Sequence, residues 1–310
     1  MAVAVAGGVN TEADDASIYH VMGVPFWAGS SPVDGVQAVD LLTDANHRRQ
    51  GLFPLVAEHA FAAGARQGAA LVYGFPNGAA IKPYIMKLGW TILDPVPFLI
   101  KPLRAGYFAK RLLPGWLRTF GAPDMPLARI PRLAERYTSS TVERFGADYD
   151  KIWTTFRSAR PNYVGVDRTA RYMNWRLLDY PAGGNYRVRS VQRDGRPVGY
   201  VAWTVEAKHG GRIGYVLEMV YDPADADAGN ALAGLAVRDM IEQNCDAALA
   251  WCCSHSPNYA AYRAGGFFPM PEKLRPIELH WGVRSLSEPA DESVCKRENW
   301  YLSYLDSDTV

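Results

Sequence analysis

The sequence predicts a mixed α/β protein, with sheets of mixed strand direction, built as two lobes in tandem. Three observations support this prediction: strand and helix patterns alternate through the first hundred residues, a proline-dense stretch follows, and a second series of strands and helices begins near residue 139. A chain of 310 residues is long enough for two domains. We therefore expect a first lobe over 1–103, a helical connector over 104–138 and a second lobe over 139–310.

Apolar periodicity in the first lobe predicts two strands, a helix, a strand, a helix and a final strand, joined by short turns. These elements are expected over 16–27, 36–42, 53–66, 69–75, 78–88 and 89–100. Strands and helices that alternate in this way form a layered α/β structure.

The second lobe is predicted to contain three consecutive strands, separated by the turn residues Asp194-Gly195 and Gly210-Gly211. Further strands and helices surround them. The elements expected in order are a strand at 139–145, helices at 149–157 and 167–178, strands at 186–193, 198–205 and 212–221, a helix at 232–243, a strand at 247–253 and a helix at 257–264.

Composition restricts the classes of partner and compartment. A formal net charge of +1 argues against nucleic acid as a partner, and the sequence has no apolar run of the roughly 20 residues that span a bilayer. The four cysteines lack the spacing of a disulfide framework, which favours reduced thiols in a cytoplasmic protein. Cys252, Cys253 and His255 are close in sequence, but neighbouring strand residues point to opposite faces, so we expect no metal site.

The segment from Thr43 to Pro54 lies between a predicted strand and a predicted helix. The first amides of a helix have no intrahelical acceptor and carry partial positive charge, so they can bind a pyrophosphate. Gly51 would let the ligand approach the backbone closely, and Arg48 and Arg49 would supply positive charge. The segment therefore predicts an anion-binding loop.

This loop, Arg48-Arg49-Gln50-Gly51-Leu52-Phe53, resembles the Arg/Gln-x-x-Gly-x-Gly/Ala loop of the GNAT superfamily of N-acyltransferases, with Phe53 departing from the small residue of that pattern. Asn77 and the helix end Lys87-Leu88-Gly89-Trp90 are similar to later motifs of the same family. The resemblance implies that acetyl-CoA or another acyl-CoA is the cosubstrate, without a metal. The residues it assigns to the coenzyme are Leu41, Leu42, Arg48, Arg49, Gln50, Gly51, Leu52, Phe53 and Asn77.

The second lobe resembles the same family in its segment from Asn258 to Phe267. Its loop after Asp222-Pro223 has no arginine, however, and Asp225 and Asp227 would repel a pyrophosphate. We therefore expect this lobe to complete the fold and to shape the acceptor pocket. Only about fifty residues precede the loop of the first lobe, so either this lobe is abbreviated at its N-terminus or the chain lacks an original N-terminus.

Segments along most of the chain resemble tandem-GNAT proteins of bacterial surface-polysaccharide pathways, which implies a nucleotide-linked amino sugar as one possible acceptor. These segments are Phe75-Pro76-Asn77, Lys87 to Trp90, Lys101-Pro102-Leu103, Tyr172 to Arg176 before Tyr180-Pro181, and Trp300 to Asp308.

Amide formation from a thioester needs a base for the amine proton and donors for the oxyanion. Asp40, on the strand before the loop, and Glu218, at the corresponding place in the second lobe, are candidate bases. Tyr84 lies where the family resemblance implies a tyrosine that protonates the departing thiolate. For Asp40 and for Glu218 taken singly, an ordinary polar residue on a strand is the favoured interpretation, and for Tyr84 a packing role is at least as well supported.

Four further residues are candidates for binding the acceptor. Trp175 and Arg176 could bind a nucleotide, and Asp306 and Asp308 could bind an ammonium or hydroxyl groups. The structural alternatives are a core tryptophan, a surface arginine and a solvated chain end.

The sequence thus predicts an acyl-CoA-dependent N-acyltransferase that acts on a small-molecule amine, and it leaves a homodimer open. Two alternatives are aminoacyl transfer from charged tRNA to a cell-wall precursor and a non-catalytic scaffold with a relict coenzyme loop. The intact loop and the near-zero net charge count against the tRNA-dependent enzyme.

Overall fold

A computed structural model describes residues 2–6, 14–112, 125–179, 184–272, 275, 277–286 and 292–309. Residues 113–124 of the predicted connector and the Tyr180-Pro181 motif lie outside the described residues. Two compact units divide the chain. Unit 1 comprises Met1–Val96, Pro161–Asp167 and Ile277–Trp300, and unit 2 comprises Pro97–Arg160, Arg168–Pro276 and Tyr301–Val310. The units are therefore interleaved along the chain, whereas the sequence predicted contiguous lobes.

The strands and helices alternate through both units. Strands β1 to β14 cover Ala2–Ala6, Asp14–Ala28, Ser31–Thr43, Ala69–Gly74, Thr91–Ile92, Phe98–Pro102, Thr138–Thr141, Val164–Val166, Arg187–Arg193, Arg196–Lys208, Gly211–Tyr221, Ala247–Trp251, Phe268–Pro269 and Gly282–Ser285. Helices α1 to α7 cover Leu52–Arg66, Ile81–Leu88, Ala105–Leu112, Ala147–Ser158, Ala170–Met173, Ala226–Glu242 and Asn258–Ala264.

The mixed α/β class predicted from the sequence is confirmed, and the main differences concern where elements begin. Helix α6 starts six residues before its predicted start because the Asp225 side chain accepts a hydrogen bond from the amide of Ala228 and caps the helix. Helix α5 is capped by Thr169, not by Asp167, through a bond to the amide of Tyr172. The strand predicted over 89–100 is two strands, β5 and β6, on either side of Pro95.

The sheet of unit 1 has the order β1-β2-β3-β4-β14-β5, and β8 pairs with β2. Strands β3 and β4 are parallel and the other pairs are antiparallel, so the sheet is mixed. Helix α1 buries Val56, Ala57 and Phe61 in a cluster that also contains Tyr19 and Trp90. Burial of a side chain such as Phe61 contributes roughly 1.5–3 kcal/mol, so this face holds the helix on the sheet.

The sheet of unit 2 has the order β13-β6-β12-β11-β10-β9-β7, with β11 and β12 parallel. Strand β6 belongs to this sheet, in antiparallel pairing with β12, although the sequence placed the segment in the first lobe. Its apolar run is compatible with this position: Phe98, Leu99 and Ile100 are consecutive and all buried, as in a strand covered on both faces. Within the residues described, no helix is long and apolar enough to cross a bilayer.

Candidate functional site

The parallel strands of unit 1 open into a gap at one end. Ala38 is the last residue of β3 that pairs with β4, at Gly74, where β4 ends. Strand β3 continues to Thr43 beside β2 alone. The edge of β3 that would face β4 is therefore open over its last five residues, which leaves backbone groups for a ligand.

A groove of about 360 Å³ lies at this opening. It is formed by the end of β3, the loop before α1, the first turn of α1 and the start of α2. The lining residues are Leu41, Leu42, Thr43, His47, Arg48, Arg49, Gly51, Leu52, Phe53, Pro54, Asn77, Ala79, Ala80, Pro83 and Lys87. The groove thus combines strand, loop and helix within one unit.

Two left-handed residues turn the chain into α1. Arg49 has a φ of 64°, and Gly51, the N-cap of α1, has a φ of 81°. A glycine adopts this conformation at little cost, whereas Arg49 is held in it at a cost of roughly 1–2 kcal/mol. Strained residues of this kind are common where a loop grips a ligand. Gly51 supplies no side-chain cap to α1, and Pro54 has no N–H. Leu55 donates to the carbonyl of Gly51 over 3.4 Å, so the amides of Leu52 and Phe53 are the first helical donors available to a ligand.

The ionisable side chains that line the groove are all basic. Arg48, Arg49, His47 and Lys87 are among its lining residues, and these residues include no carboxylate. The Arg48 side chain donates from Nε to the carbonyl of Thr43 over 3.4 Å, which keeps it near the loop. The dipole of a 15-residue helix adds positive potential at the same end. The groove therefore suits an anionic ligand such as a pyrophosphate.

The structure brings together eight of the nine residues assigned to the coenzyme, and Gln50 is the one that does not line the groove. Its side chain donates to the carbonyl of Asn46 over 3.3 Å instead. Asn77 accepts hydrogen bonds at Oδ1 from the amides of Ala79 and Ala80, both over 3.1 Å, and so fixes the turn before α2. The coenzyme assignment of these residues stays a prediction.

Sequence reasoning missed several lining residues on and before α2. Ala80, Pro83 and Lys87 recur at helical spacing and so share one face. That periodicity was the signal that could have identified them. Lys87 matters most because it adds a cation on the far wall of the groove.

Tyr84 lies in the core of unit 1 and not in the groove. It is 5% exposed, and its hydroxyl lies 3.0 Å from that of Tyr19. Its ring packs on Phe53 and Trp90, at centroid distances of 5.4 and 4.6 Å. Burial raises the pKa of Tyr84 above its ordinary value, which disfavours further the ionised phenol that proton donation would leave behind. The structure therefore gives Tyr84 a packing role in place of proton donation to the thiolate.

Asp40 lies at an irregularity in the pairing of β2 with β3. The register passes from Tyr19 opposite Leu41 to Val21 opposite Ala38, so β3 contains one extra residue opposite His20. The Asp40 side chain is 72% exposed, and its carboxylate lies 3.3 Å from Nδ1 of His20. The Asp40 carboxylate is therefore exposed to solvent.

Glu218 lies next to the corresponding irregularity in unit 2, where Ala202 pairs with Glu218, Trp203 pairs with Val216 and Leu217 is the extra residue. It is fully buried and bound to Arg168, whose Nε donates to its carboxylate over 2.8 Å. Burial raises the pKa of Glu218, and Arg168 opposes that shift. A sealed carboxylate that already accepts hydrogen bonds from Arg168, Tyr301 and Ser303 cannot reach an amine, so the structure does not support Glu218 as a base.

Asp306 belongs to the same buried cluster. Nη2 of Arg168 donates to both of its carboxylate oxygens over 2.7 Å, and its side chain is 3% exposed. It also accepts from the amide of Ser303 in a capping box. Asp306 thus holds the C-terminal segment, residues 301–307, in place and is not available to a substrate. This segment is buried, whereas the structural alternative considered for it was a solvated chain end.

The C-terminal segment also fills the gap between the parallel strands of unit 2. Strands β11 and β12 pair up to Val216 and Ala250. Beyond that point the Tyr301 hydroxyl donates to Glu218, and the Tyr304 ring stacks on Trp251 at a centroid distance of 4.4 Å. The place that is open in unit 1 is occupied by the chain itself in unit 2.

The other residues proposed for the acceptor are dispersed. Trp175 is 44% exposed and packs on Tyr172 at 5.6 Å. Arg176 donates to the carbonyl of Ser307 over 3.1 Å and lies 5.8 Å from the ring centroid of Tyr186. Asp308 is exposed. Their role in acceptor binding stays a prediction.

Known proteins resemble this chain in structure but not in sequence. No family model matches the sequence, and no curated protein is a significant match. Among solved structures, a GCN5-related N-acetyltransferase from Anabaena variabilis is 12% identical with a TM-score of 0.51, covering 87% of this chain and 59% of that one. A conserved protein of unknown function from Enterococcus faecalis is 14% identical with a TM-score of 0.53, covering 88% and 59%.

A third structure, of N-myristoyltransferase from Saccharomyces cerevisiae with bound myristoyl-CoA, is 12% identical with a TM-score of 0.58, covering 93% of this chain and 74% of that one. The chain thus spans about three fifths of the length of the first two structures. At these identities the likeness concerns the fold. Taken with two mixed sheets that each contain a pair of parallel strands diverging at one end, it shows that the chain has the GNAT fold of the N-acyltransferases.

Proposed function

We propose that this protein transfers an acyl group from an acyl-CoA to the amine of a small molecule, and that unit 1 binds the coenzyme. The observation that carries the proposal is the groove at the open end of β3 and β4. It joins a cationic loop, a left-handed glycine at a helix N-terminus and an unpaired strand edge within one unit.

Different parts of the groove would bind different parts of the coenzyme. The pyrophosphate would accept hydrogen bonds from the amides that begin α1, beside Arg48 and Arg49. The pantetheine arm, which carries amide groups, would pair with the open edge of β3 as an added strand does. Leu41 and Leu42, which are 37% and 65% exposed at the end of β3, would contact its apolar parts.

The chemistry follows from this position. A thioester held in the gap would direct its carbonyl oxygen at backbone amides of β3, which stabilise the oxyanion of the tetrahedral intermediate. The amine forms a C–N bond to the carbonyl carbon, and the C–S bond then breaks with the electron pair leaving on sulfur. An N–H proton must pass to a base before the amide is complete.

The donor and acceptor are proposed at the level of chemical class. The N-myristoyltransferase structure holds a long-chain acyl-CoA and the Anabaena protein is an acetyltransferase, so donors from two to fourteen carbons should be compared. Small amines are the proposed acceptors, and nucleotide-linked amino sugars are the first class to screen.

Calorimetric titration of acetyl-CoA and myristoyl-CoA into the purified chain tests the proposal. We expect saturable binding by the parent, and a loss of at least tenfold in affinity for Arg48→Ala, because a charge-assisted phosphate contact contributes about 1.5–3 kcal/mol. Gly51→Asp should abolish binding, since it places a negative charge beside the pyrophosphate in a left-handed conformation.

Two matched variants serve as controls. Arg66→Ala removes an exposed arginine from the other end of α1, and it should bind like the parent. Gly51→Asn introduces a residue that tolerates the left-handed conformation and, unlike aspartate, carries no charge, so this variant should retain most of the affinity for the coenzyme. A folded parent that binds neither coenzyme would refute the proposal.

A further inference from the structure

The pair formed by His20 and Asp40 lies at the end of the coenzyme gap and has no evident structural purpose. Its members lie on neighbouring strands, 3.3 Å apart between Nδ1 and Oδ2. The side chains are 37% and 72% exposed, so a structural ion pair here would add at most about 1 kcal/mol. A role in stability therefore gives a weak explanation for it.

The second nitrogen of His20 strengthens the case. Nε2 is itself buried, and it has no hydrogen-bond partner among the described residues. A buried polar atom left unpaired costs roughly 1–3 kcal/mol, so such atoms need an explanation. A substrate amine that displaces the atoms covering Nε2 would supply the missing partner.

The strand register places this nitrogen relative to the gap. Leu41, which lines the coenzyme groove, lies opposite Tyr19. The ring of Tyr19 packs among the core residues under α1. His20 follows Tyr19 on β2, so its side chain points to the opposite face of the sheet. The extra residue of β3 opposite His20 lies just beyond Ala38, where pairing with β4 stops. The coenzyme and His20 would thus approach the gap from opposite faces.

We propose that His20 accepts the proton of the attacking amine at Nε2, with Asp40 as its positioning residue; this rests on the acyl transfer proposed above. Asp40 accepts a hydrogen bond from Nδ1–H, which leaves the lone pair of Nε2 directed at the amine. As the C–N bond forms, one N–H proton moves to Nε2. The C–S bond breaks, coenzyme A leaves as a thiolate, and the imidazolium returns its proton to the thiolate or to solvent.

The ring tautomer of His20 tests the geometry without any acceptor. Long-range proton–nitrogen correlation on the uniformly nitrogen-labelled full chain distinguishes the two tautomers, and His20→Gln assigns the signal. We expect the Nδ1–H tautomer in the parent and a shift away from it in Asp40→Asn, whose amide can also donate. A neutral ring protonated at Nε2 would overturn the proposal, because that nitrogen could then not accept a proton.

Kinetics test the chemical role with the amine that the acceptor screen identifies. His20→Ala should lower kcat by about 10²–10⁴-fold while the acyl-CoA affinity by calorimetry stays at the parent value. Added imidazole should restore part of the rate, which it would not do for a variant with a merely structural defect. His59→Ala, at an exposed histidine on α1, should behave like the parent.

The outcomes separate the two proposals. A parent that binds no acyl-CoA would refute the transfer reaction, and the tautomer would still decide how the pair is arranged. A His20→Ala variant that binds acyl-CoA and transfers at the parent rate would refute the role of His20 and leave the transferase intact.

Discussion

The two units share a strand pattern but differ in what occupies it. In each, parallel strands diverge just where the longer strand carries an extra residue, with an acidic side chain at or next to that position. In unit 1 this residue is Asp40, which is exposed beside His20. In unit 2 it is Glu218, which is sealed by Arg168 and the C-terminal segment.

The loops that follow these strands also differ in charge, because the loop of unit 1 is basic and that of unit 2 is acidic. Unit 1 has Arg48 and Arg49 before α1, whereas unit 2 has Asp225 and Asp227 at the start of α6. These aspartates are already paired: Tyr137 and Arg193 each donate to Asp225 over 2.8 Å. The comparison teaches that one backbone pattern stays open beside basic residues in unit 1, where we propose a ligand, and is filled by a buried charged cluster in unit 2.

The largest expected effect comes from removing the cation of the buried cluster that Arg168, Glu218 and Asp306 form in unit 2. Arg168→Met would leave Glu218 and Asp306 buried without their cation, which should cost about 3–5 kcal/mol of unfolding free energy. Urea unfolding measures this change. Arg171→Ala, at an exposed arginine three residues later, is the matched control.

A second variant refines the result for Arg168. Adding Glu218→Gln and Asp306→Asn to Arg168→Met removes the unpaired charges, so it should recover part of the lost stability. If Arg168→Met were as stable as the parent, the cluster of Arg168, Glu218 and Asp306 would not stabilise unit 2 as described above.

A smaller effect per residue is expected from alkaline pH. Burial raises the pKa of both Tyr172 and Tyr221, two residues of unit 2, to about 12 from an ordinary value of 10.0. The unfolded chain ionises first, so their contribution to stability is complete below pH 10 and is lost as the pH rises through 12. The expected slope is about 1.4 kcal/mol per pH unit for each tyrosine.

Urea midpoints between pH 9 and 12 measure this slope. Tyr172→Phe combined with Tyr221→Phe should reduce the slope by the share of these two residues, because Tyr84, Tyr149 and other tyrosines with raised pKa values still contribute. An unchanged slope in the double variant would show that other groups cause the alkaline loss.

The smallest effect concerns Tyr84, whose packing role separates it from the groove of unit 1. Tyr84→Phe removes one hydroxyl of the pair with Tyr19 and should cost about 1 kcal/mol, with kcat within twofold of the parent. Tyr19→Phe should cost the same because the two hydroxyls share one hydrogen bond. A hundredfold loss of kcat in Tyr84→Phe alone would restore its role as the acid for the thiolate.

The sequence was most informative where local chemistry decides the structure. The periodicity of residues 53–66 predicted α1 to within a residue of its start, and the glycine and arginines before it predicted the loop. Eight of nine coenzyme candidates line one groove because most of them are neighbours in sequence. Short-range patterns therefore located the groove, and its role as the coenzyme site stays a prediction.

Contacts between distant residues could not be predicted in this way. Arg168, Glu218 and Asp306 are separated by 50 and 88 positions, and no pattern links them. The exchange of β6 into the second sheet depends on which sheet buries it, which its apolar run does not specify. The His20–Asp40 pair was within reach, since counting back from the turn at Ala28 and Ser31 sets those residues nearly opposite each other.

Amide hydrogen exchange with and without saturating acyl-CoA tests the central claim most directly, because it locates the ligand in one of the two units. We predict slowed exchange in unit 1 over 39–54 and 77–87, and unchanged exchange in unit 2 over 217–231 and 301–307. Protection that falls on 217–231, or on neither set of segments while the coenzyme is bound, would contradict the account.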